Sequence, residues 1–550
     1  MAGCDIIPKT DLCSKKKSNA EYSNVGNRMK KSLISAVVLL AALVGTAAPQ
    51  GVQNPYESSP ASTPRSKVDE LVFGRLKRLG IQPANLCSDA VFVRRAYLDV
   101  IGTLPTEQEA KTFLSDQAQN KRSALIDRLL DREEFADYWA MKWSDLLRVK
   151  SEFPINLWPN AVQAYYRWIR TSLKENLPYD RFVRELLTSS GSNFRVPQVN
   201  FYRAVRSREP QTIAQAVALT FMGTRAEKWP KDRLAGMAAF FSQIGYKSTQ
   251  EWKEEIVSLD LEKAAGTPPP AIFPDGKPAR LSQNQDPREV FAGWLTAPEN
   301  PWFARNIVNR VWCWLLGRGV IHEPDDIRPD NPPSNPELLA FLERELATAH
   351  YDLKHIYRLI LNSQVYQLSS IPTTDRPEGA ANFACYPLRR LDAEVLIDAI
   401  CQITGTTEQY SSPIPEPYTF IPEDRRSIAL EDASITSSFL EMFGRSPRDT
   451  GLESERNNRP TAEQRLHLLN SSHIQAKIQQ SSKLRALVQP GGSPRAPIDA
   501  LYLTILSRMP SDEELRVVGA YFQSFIGNKW PAVVDTVWAL INCAEFLYRH

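Results

Sequence analysis

The sequence has little glycine and histidine for its length: 550 residues contain 24 Gly and 6 His, against 40 Pro. It has neither a G-x-G-x-x-G motif nor a Walker A motif, which excludes the common dinucleotide- and phosphate-binding loops. The G-x-S-x-G nucleophile elbow is missing too, and no histidine pair has the H-x-x-x-H spacing of a metalloprotease. We therefore predict neither a cofactor nor a metal site.

An excess of charge of one sign is also lacking. The chain has 66 Lys and Arg against 63 Asp and Glu, a formal net charge of +3. Such a balance provides no broad basic surface for a nucleic-acid backbone, so we expect no nucleic-acid partner. With 43% hydrophobic residues, the chain has enough apolar side chains for sizeable cores, and its length favours two or more domains.

Only one long apolar run is present, Ser32 to Ala48, and it follows Met29-Lys30-Lys31. A basic start, an apolar stretch and small residues at its end are typical of a secretory signal. We interpret residues 1–28 as a mis-assigned leader, 29–48 as a signal peptide and 49–65 as a disordered linker. The protein is then exported, to the periplasm or cell surface. The alternative is an uncleaved segment that anchors it in the membrane.

Export would change both the charge and the cysteine count. Residues 1–48 contain seven Lys and Arg and three Asp and Glu, so their removal leaves 59 against 60 and a net charge of −1. Five cysteines remain in the mature chain: Cys87, Cys313, Cys385, Cys401 and Cys543. None has C-x-x-C or C-x-x-C-H spacing, and their disulfide pairing stays open.

Apolar residues recur at helical spacing through most of the chain, so the fold class is predicted to be mainly α. We expect helical domains over 66–260 and 286–550, joined by a Pro-rich linker over 261–285, with a long irregular segment, Ser411 to Arg459, in the second domain. Single helices are predicted over 120–149, 231–258 and 461–480. Capping boxes are expected at Thr106/Glu109, Ser334/Glu337, Thr461/Gln464 and Ser511/Glu514.

Polar residues on two predicted helices are candidates for a functional site. Arg305, Asn309 and Arg310 lie on a helix with three nearby tryptophans, as in a sugar site, but amphipathic packing with buried polar pairs is the favoured explanation. Arg390, Glu394 and Asp398 follow at intervals of four, which favours an ion-pair ladder over paired catalytic carboxylates.

Three further patterns bear on a site. A loop with Glu453, Glu455 and Arg456 completes the candidate polar site. An ion pair is expected between Arg95 and Asp99, one helical turn apart. His467 and His473, six positions apart, are expected to lie off a common helix face.

Several segments resemble a family of exported two-domain proteins from planctomycete, verrucomicrobial and related bacteria. FVRRAYLDVIGTLPTEQEAKTFL (92–114) and LPYDRFVRELLTSSG (177–191) are similar to domain of unknown function 1549, which is cytochrome-associated. NPWFARNIVNRVWCWLLGRGVI (300–321) and RRLDAEVLIDAI (389–400) are similar to its companion, domain of unknown function 1553. The resemblance implies export and company with sulfatase-like or cytochrome-type proteins, but it implies no reaction.

The chain departs from this family at two places. Members commonly carry a Cys-x-x-Cys-His-x-His cluster where only Ala226 separates Arg225 from Glu227 here. They also tend to show Cys-x-Cys where this chain has Leu452-Glu453-Ser454. Such clusters would ligate haem iron or another metal, so the departures imply a lost cofactor site.

Three functions follow as hypotheses. The first is a cofactor-free binding or scaffold partner of envelope or polysaccharide-processing machinery. The second is a hydrolase-type enzyme that acts on carbohydrate or sulfated polymer through the candidate polar site. The third, disfavoured by the missing ligands, is a haem or metal redox protein.

Overall fold

The computed structural model describes residues 54–58, 63–265, 270–282, 285–487 and 495–550. The predicted leader and signal peptide therefore lie outside the described residues, and so does the possible membrane anchor. None of the described helices is long and apolar enough to cross a membrane.

The described chain is mainly helical, which confirms the predicted fold class. The helices before the predicted linker are Lys67–Arg78, Asp89–Val100, Glu107–Ser115, Lys121–Leu130, Glu133–Leu146, Pro159–Lys174, Tyr179–Thr188, Pro210–Met222 and Lys231–Ala238, and the short helix Leu261–Ala264 lies within the predicted linker. Those that follow are Pro287–Leu295, Phe303–Leu316, Pro336–Thr348, Leu353–Leu361, Pro377–Ala381, Ala393–Thr404, Ser438–Met442, Ala462–Asn470, Ser472–Gln479, Ser482–Ala486, Ala496–Leu506, Asp512–Gln523, Trp530–Ile541 and Ala544–Leu547. Short 3₁₀ turns cover Pro197–Tyr202, Ala226–Lys228, Ala239–Phe241, Ser427–Ala429 and Glu453–Glu455.

The strands among these residues are short and antiparallel. Glu57–Ser58 pairs with Leu86–Cys87, and Arg389–Arg390 pairs with Tyr548–Arg549. A three-stranded sheet has Glu255–Leu259 in its centre, between Gly191–Ser192 and Ile244–Ser248.

The predicted helix over 231–258 is wrong in its second half. The helix ends at Ala238, and Ile244–Ser248 pairs with Glu255–Leu259 in a hairpin whose register sets Tyr246 opposite Val257. Val257 is buried whereas Ile256 beside it is exposed, which is the two-residue period of a strand.

Two other predicted helices are each divided in two. The predicted helix over 120–149 breaks at 131–132, and the one over 461–480 breaks at Ser471. Ser471 ends the first helix in an extended conformation and accepts a hydrogen bond from the Ile474 backbone N–H, so it is the N-cap of the second helix.

Three of the four predicted capping boxes are confirmed, at Thr106, Thr461 and Ser511. The fourth, at Ser334, is wrong. Asn335 caps that helix by accepting a hydrogen bond from the Leu338 N–H, whereas the Ser334 hydroxyl donates to the Val320 carbonyl.

Helices from both predicted domains pack into one continuous hydrophobic core. Its centre is aromatic: the Trp139 ring lies 5.4 Å from the Trp314 ring and 4.4 Å from the Tyr357 ring, measured between centroids. The Tyr179 ring stacks on Phe303 at 4.7 Å. Residues on either side of the predicted linker therefore bury one another.

The last strand of the chain is held by two buried arginines from the helix Asp89–Val100. Arg94 donates to the carbonyls of Ile505 and Phe546, and Arg95 donates to the carbonyl of His550. The predicted Arg95–Asp99 ion pair is thus wrong: the carboxylate of Asp99 instead contacts Arg549 and Arg389.

The segments predicted as linkers or irregular are partly held against the core. Within 49–65, Glu57–Ser58 forms a strand, and within 261–285 the Phe273 ring stacks between Phe240 and Trp294. The segment 411–459 contains a short helix, Ser438–Met442, and two 3₁₀ turns. Many of its residues are buried.

Candidate functional site

The polar residues predicted on the helix Phe303–Leu316 divide between the interior and the surface. Asn309 is buried and exchanges two hydrogen bonds with the backbone of Ile321. Arg310 is buried and contacts Asp325 at 2.7 Å. Arg305 is partly exposed and pairs with Glu343, also at 2.7 Å. Internal polar pairs therefore account for Asn309 and Arg310, whereas Arg305 faces a surface groove.

Arg390, Glu394 and Asp398 do not form the predicted ion-pair ladder. Arg390 donates to Gln464 and to the Phe443 carbonyl. Asp398 accepts hydrogen bonds from the backbone N–H groups of Ser427 and Ile428, with the Arg426 guanidinium 3.6 Å away. Glu394 pairs with Arg456. The three side chains contact different residues of the irregular segment or of the helix that follows it. These segments cover the three side chains, so the side chains do not pair with one another.

The loop with Glu453, Glu455 and Arg456 turns back on itself. Glu455 accepts hydrogen bonds from the N–H groups of Thr450 and Gly451. Gly451 has φ +80° and leaves no room for a side chain, since a Cβ atom there would lie 2.7 Å from the Leu146 carbonyl oxygen. The loop can therefore pack directly on the helix Glu133–Leu146.

Arg456 is the centre of a buried charge network that we call the Arg456 network. Its guanidinium contacts the Glu394 carboxylate at 2.6 Å and the Asp145 carboxylate at 2.7 Å. The other members are Lys142, Asp392, Arg445, Arg448 and Arg549, whose ion pairs link Asp145 and Glu394 to Asp99. Sequence reasoning identified Glu394 and Arg456 but missed Asp145, Asp392 and Lys142, which are far away in the sequence.

Burial and neighbouring charge oppose each other in this network. Burial alone would raise the pKa of Asp392, but Lys142, Arg549 and Arg456 outweigh it and hold that pKa well below its usual value. In the same way Arg456 and Arg448 lower the pKa of Asp145 despite its burial. These carboxylates are ionised and paired at neutral pH, as in a structural ion cluster.

Glu453 lies at the edge of the network and behaves differently. Its carboxylate accepts a hydrogen bond from the Trp314 indole N–H at 3.1 Å and lies 3.6 Å from Arg310. Burial raises its pKa, and Lys142 and Arg310 offset this only in part. Glu453, Asp145 and Arg456 border a cavity of about 10 Å³, counted as space open to the centre of a water molecule. That volume suits about one water molecule.

The nine predicted site residues thus do not line one pocket. Arg310, Glu394, Glu453 and Arg456 lie in or beside the Arg456 network, and Arg305 borders a separate groove. Asp398 borders a third depression with Cys401, Glu408 and Arg426.

The cysteines and histidines also have defined surroundings. All five thiols of the described residues are free, and burial raises the pKa of Cys313 to about 12 and those of Cys401 and Cys543 to about 11. Contrary to expectation, the break at Ser471 brings His467 and His473 into contact, with Nε2 and Nδ1 3.4 Å apart. Within the described ranges, no three His, Cys, Asp or Glu side chains are grouped so that they could hold a metal ion.

The comparisons with known proteins identify both halves of this architecture. Residues 67–242 match the family model "Protein of unknown function (DUF1549)", and residues 287–522 match "Protein of unknown function (DUF1553)". The chain belongs to the family that combines these two domains. No curated protein and no solved structure matches it.

The first of the two predicted departures from the family pattern, at Ala226, lies at the contact between the two domains. In the DUF1549 domain, the helix Pro210–Met222 ends at Gly223, whose φ is +62° and whose carbonyl accepts a hydrogen bond from the Ile327 N–H of the DUF1553 domain. The Thr224 hydroxyl donates to the Ile327 carbonyl. Residues 224–229 therefore run along the surface of the DUF1553 domain, and the two segments together form one side of a groove.

This groove, which we call the Trp229–Trp302 groove, has about 620 Å³ open to the centre of a water molecule. That is within the range of ligand clefts, roughly 300–1,000 Å³. Its aromatic lining is Trp229 and Trp302, and its cationic lining is Arg225, Lys228, Arg233, Arg305 and Arg328. Asp326 supplies the one carboxylate of its lining.

Some of these cations are already engaged. Arg305 pairs with Glu343, Arg328 pairs with Asp326 and Asp330, and Arg233 lies 4.0 Å over the Trp229 ring. Arg225 and Lys228 differ, because neither has a carboxylate partner among the described residues. Sequence reasoning missed the groove apart from Arg305, since it joins segments about 100 residues apart.

Proposed function

We propose that this protein is an exported, cofactor-free binding or scaffold protein that serves envelope or polysaccharide-processing machinery. The observation that carries the proposal is the engagement of the predicted site carboxylates. Glu394 is paired with Arg456, and Asp398 accepts hydrogen bonds from two backbone N–H groups, so both carboxylates are buried and already engaged within the fold. Carboxylates in that state are not free to act as a general acid or base.

The family membership supports a binding role only in a general way, because both matched domains are of unknown function. The Trp229–Trp302 groove is an open concave surface with residues of both domains in its lining, which includes cations and indole rings. Such a lining suits recognition of a ligand and contains no pair of free carboxylates for acid–base catalysis.

The test is recovery of the mature protein, residues 49–550, from the envelope of its own cells, with metal and haem analysis of the same sample. We expect a reproducible exported protein or polymer at near-stoichiometric amount, with no stoichiometric metal and no haem absorbance. Recovery of the protein alone, or with a tightly bound metal or haem, would overturn the proposal. The same protein, unfolded by heat before it is mixed with the envelope, serves as the control for non-specific recovery.

A hydrolase is the second candidate, because one arrangement favours it. Glu453 has a raised pKa and Asp145 a lowered one, and both border the same small cavity. Two carboxylates with pKa values shifted apart are the pattern of a general acid and its partner. The cavity is too small for a sugar ring, so this candidate requires the loop at 449–456 to open.

The hydrolase candidate has a direct test. Polysaccharides are incubated with the mature protein and with its Glu453→Gln and Asp145→Asn variants, and new reducing ends or released sulfate are measured. Turnover that both substitutions abolish would establish the hydrolase. Absence of turnover in the unaltered protein supports the binding role.

A further inference from the structure

We propose that the Trp229–Trp302 groove binds an acidic saccharide, meaning a chain of sugar rings that carries sulfate or carboxylate groups. The proposal rests on the proposed function, in that it names the ligand of a binding protein. It depends on two features of the groove: two cations that pair with none of the described carboxylates, and two indole N–H groups that donate to none of the described residues.

The first feature is unneutralised positive charge. Arg225 is partly exposed and its Nε is buried without a hydrogen-bond partner, while Lys228 is exposed and makes no ion pair with any described residue. A guanidinium is suited to two parallel hydrogen bonds with a planar or tetrahedral anion, and an ammonium adds a mobile point charge. Two such groups within one concave surface favour an anionic ligand.

The second feature is the pair of tryptophans. Trp229 and Trp302 are both half-buried and border the groove, and Arg233 covers one face of Trp229 while Trp294 packs beside Trp302. Neither indole N–H donates to another described residue. A half-buried indole offers an apolar face to the C–H groups of a sugar ring and a donor to its hydroxyl groups.

A single-stranded nucleic acid also combines negative charge with flat rings. The observations favour the saccharide because carboxylates lie beside the cations of the groove. Asp326 lines the groove, and Asp330 and Glu343 are paired with its arginines, so a continuous phosphate backbone would meet carboxylates at its edge. The net charge of the chain, +3 over 550 residues, adds no wider attraction.

The test measures affinity of the full mature protein for four probes: dextran sulfate, polygalacturonate, uncharged dextran and poly-dT. We expect binding of dextran sulfate, polygalacturonate or both, with at least tenfold weaker binding of dextran and poly-dT. The ratio of the first two distinguishes sulfate from carboxylate as the anionic group. Tighter binding of poly-dT than of either acidic polysaccharide would overturn the proposal.

Matched variants locate the binding. Arg225→Gln with Lys228→Gln should weaken acidic-polysaccharide binding at least tenfold, whereas Lys231→Gln with Arg344→Gln, two exposed cations outside the groove, should leave it unchanged. Trp229→Ala should weaken it too, and Trp252→Ala, a tryptophan with 67% exposure outside the groove, should not. Equal losses in the groove and control variants would overturn the proposal.

One further arm separates this proposal from the proposed function. The same samples are assayed for released sulfate and new reducing ends. Turnover with groove-dependent binding would overturn the binding-protein function and keep the ligand class. The opposite outcome is an envelope partner that binds the groove variants as well as the unaltered protein, with no binding of polysaccharide. That outcome would overturn only the proposal that the groove binds an acidic saccharide.

Discussion

At the scale of single residues, the effect of a buried charge on stability depends on which charged groups the fold places beside it. Arg456 has 5% side-chain exposure and pairs with both Asp145 and Glu394. Removing one partner from a buried ion pair leaves an uncompensated charge, which is much more costly than the net contribution of the intact pair. The Arg456 network therefore makes the fold sensitive to the loss of any one of its central members.

We predict that Arg456→Met destabilises the protein by about 3–5 kcal/mol, because it leaves Asp145 and Glu394 buried without this cation. Urea unfolding followed by circular dichroism measures the change. The control is Arg516→Met, since Arg516 pairs with Glu513 on the surface at 73% side-chain exposure and should contribute less than about 1 kcal/mol. Similar losses in the two variants would show that the network is not the source of the effect.

Glu453 gives a pH-dependent prediction. Its pKa is raised in the folded protein, so the fold binds this proton more tightly than the unfolded chain does. The favourable contribution of the protonated side chain to the free energy of unfolding is fully present below a pH of about 4.5, the ordinary pKa of a glutamate. It is lost as the pH rises through the pKa of the folded protein. Glu453→Gln, which does not titrate, should therefore become more stable relative to the unaltered protein as the pH rises from 4 to 8.

Melting temperatures of both proteins across that range test this prediction. The Glu453 side chain is 33% exposed, so the gain should be modest, a few degrees at pH 8. Ser454→Ala, at an exposed residue of the same loop that does not titrate, is the control and should keep the pH trend of the unaltered protein. A constant difference between Glu453→Gln and the unaltered protein would contradict the raised pKa.

Residue-level prediction from the sequence succeeded where the partner is close in the chain. Asn309 bonds to Ile321, and Arg310 pairs with Asp325 within fifteen positions, as helical spacing beside a turn allows. It failed for Arg95, whose acceptors are backbone carbonyls some 270 and 455 positions away. A buried arginine satisfies its donors wherever the fold brings acceptors, and spacing along one helix does not contain that information.

At the scale of elements, the sequence predicted where helices begin more reliably than whether a helix continues without a break. Thr106, Thr461 and Ser511 begin helices as their capping boxes predict. The break at Ser471 was missed because apolar spacing continues across it, although a serine followed by a polar turn is itself a start signal. The hairpin Ile244–Leu259 was missed because short apolar runs suit a helix or a strand equally.

Ser471 provides the test at this scale. Its hydroxyl accepts a hydrogen bond from the Ile474 N–H and begins the helix Ser472–Gln479. Ser471→Ala should cost about 0.5–2 kcal/mol of unfolding free energy, because one N–H at the helix start loses its acceptor. Ser472→Ala, one position on and exposed, is the matched control and should change stability little. Equal effects would contradict the cap.

At the scale of the whole molecule, the two family domains are not independent bodies in the described chain. Trp139 and Trp143 of the first pack on Trp314 of the second, and Arg94 and Arg95 hold the end of the chain through backbone carbonyls. The order of the two domains could be predicted from family-like segments. Their shared core could not, because it depends on long-range packing that no single segment encodes.

The shared core predicts that the mature protein unfolds in one cooperative transition. Tryptophan fluorescence, which reports the aromatic centre, and far-ultraviolet circular dichroism, which reports all the helices, should give coincident urea curves. A fragment of residues 63–265 should not fold alone, because it would expose Trp139 and leave Arg94 and Arg95 without their carbonyl acceptors. Co-expression with residues 270–550 should restore a stable complex. Two separated transitions, or a fragment 63–265 with cooperative unfolding of its own, would show instead that each domain has a sufficient core.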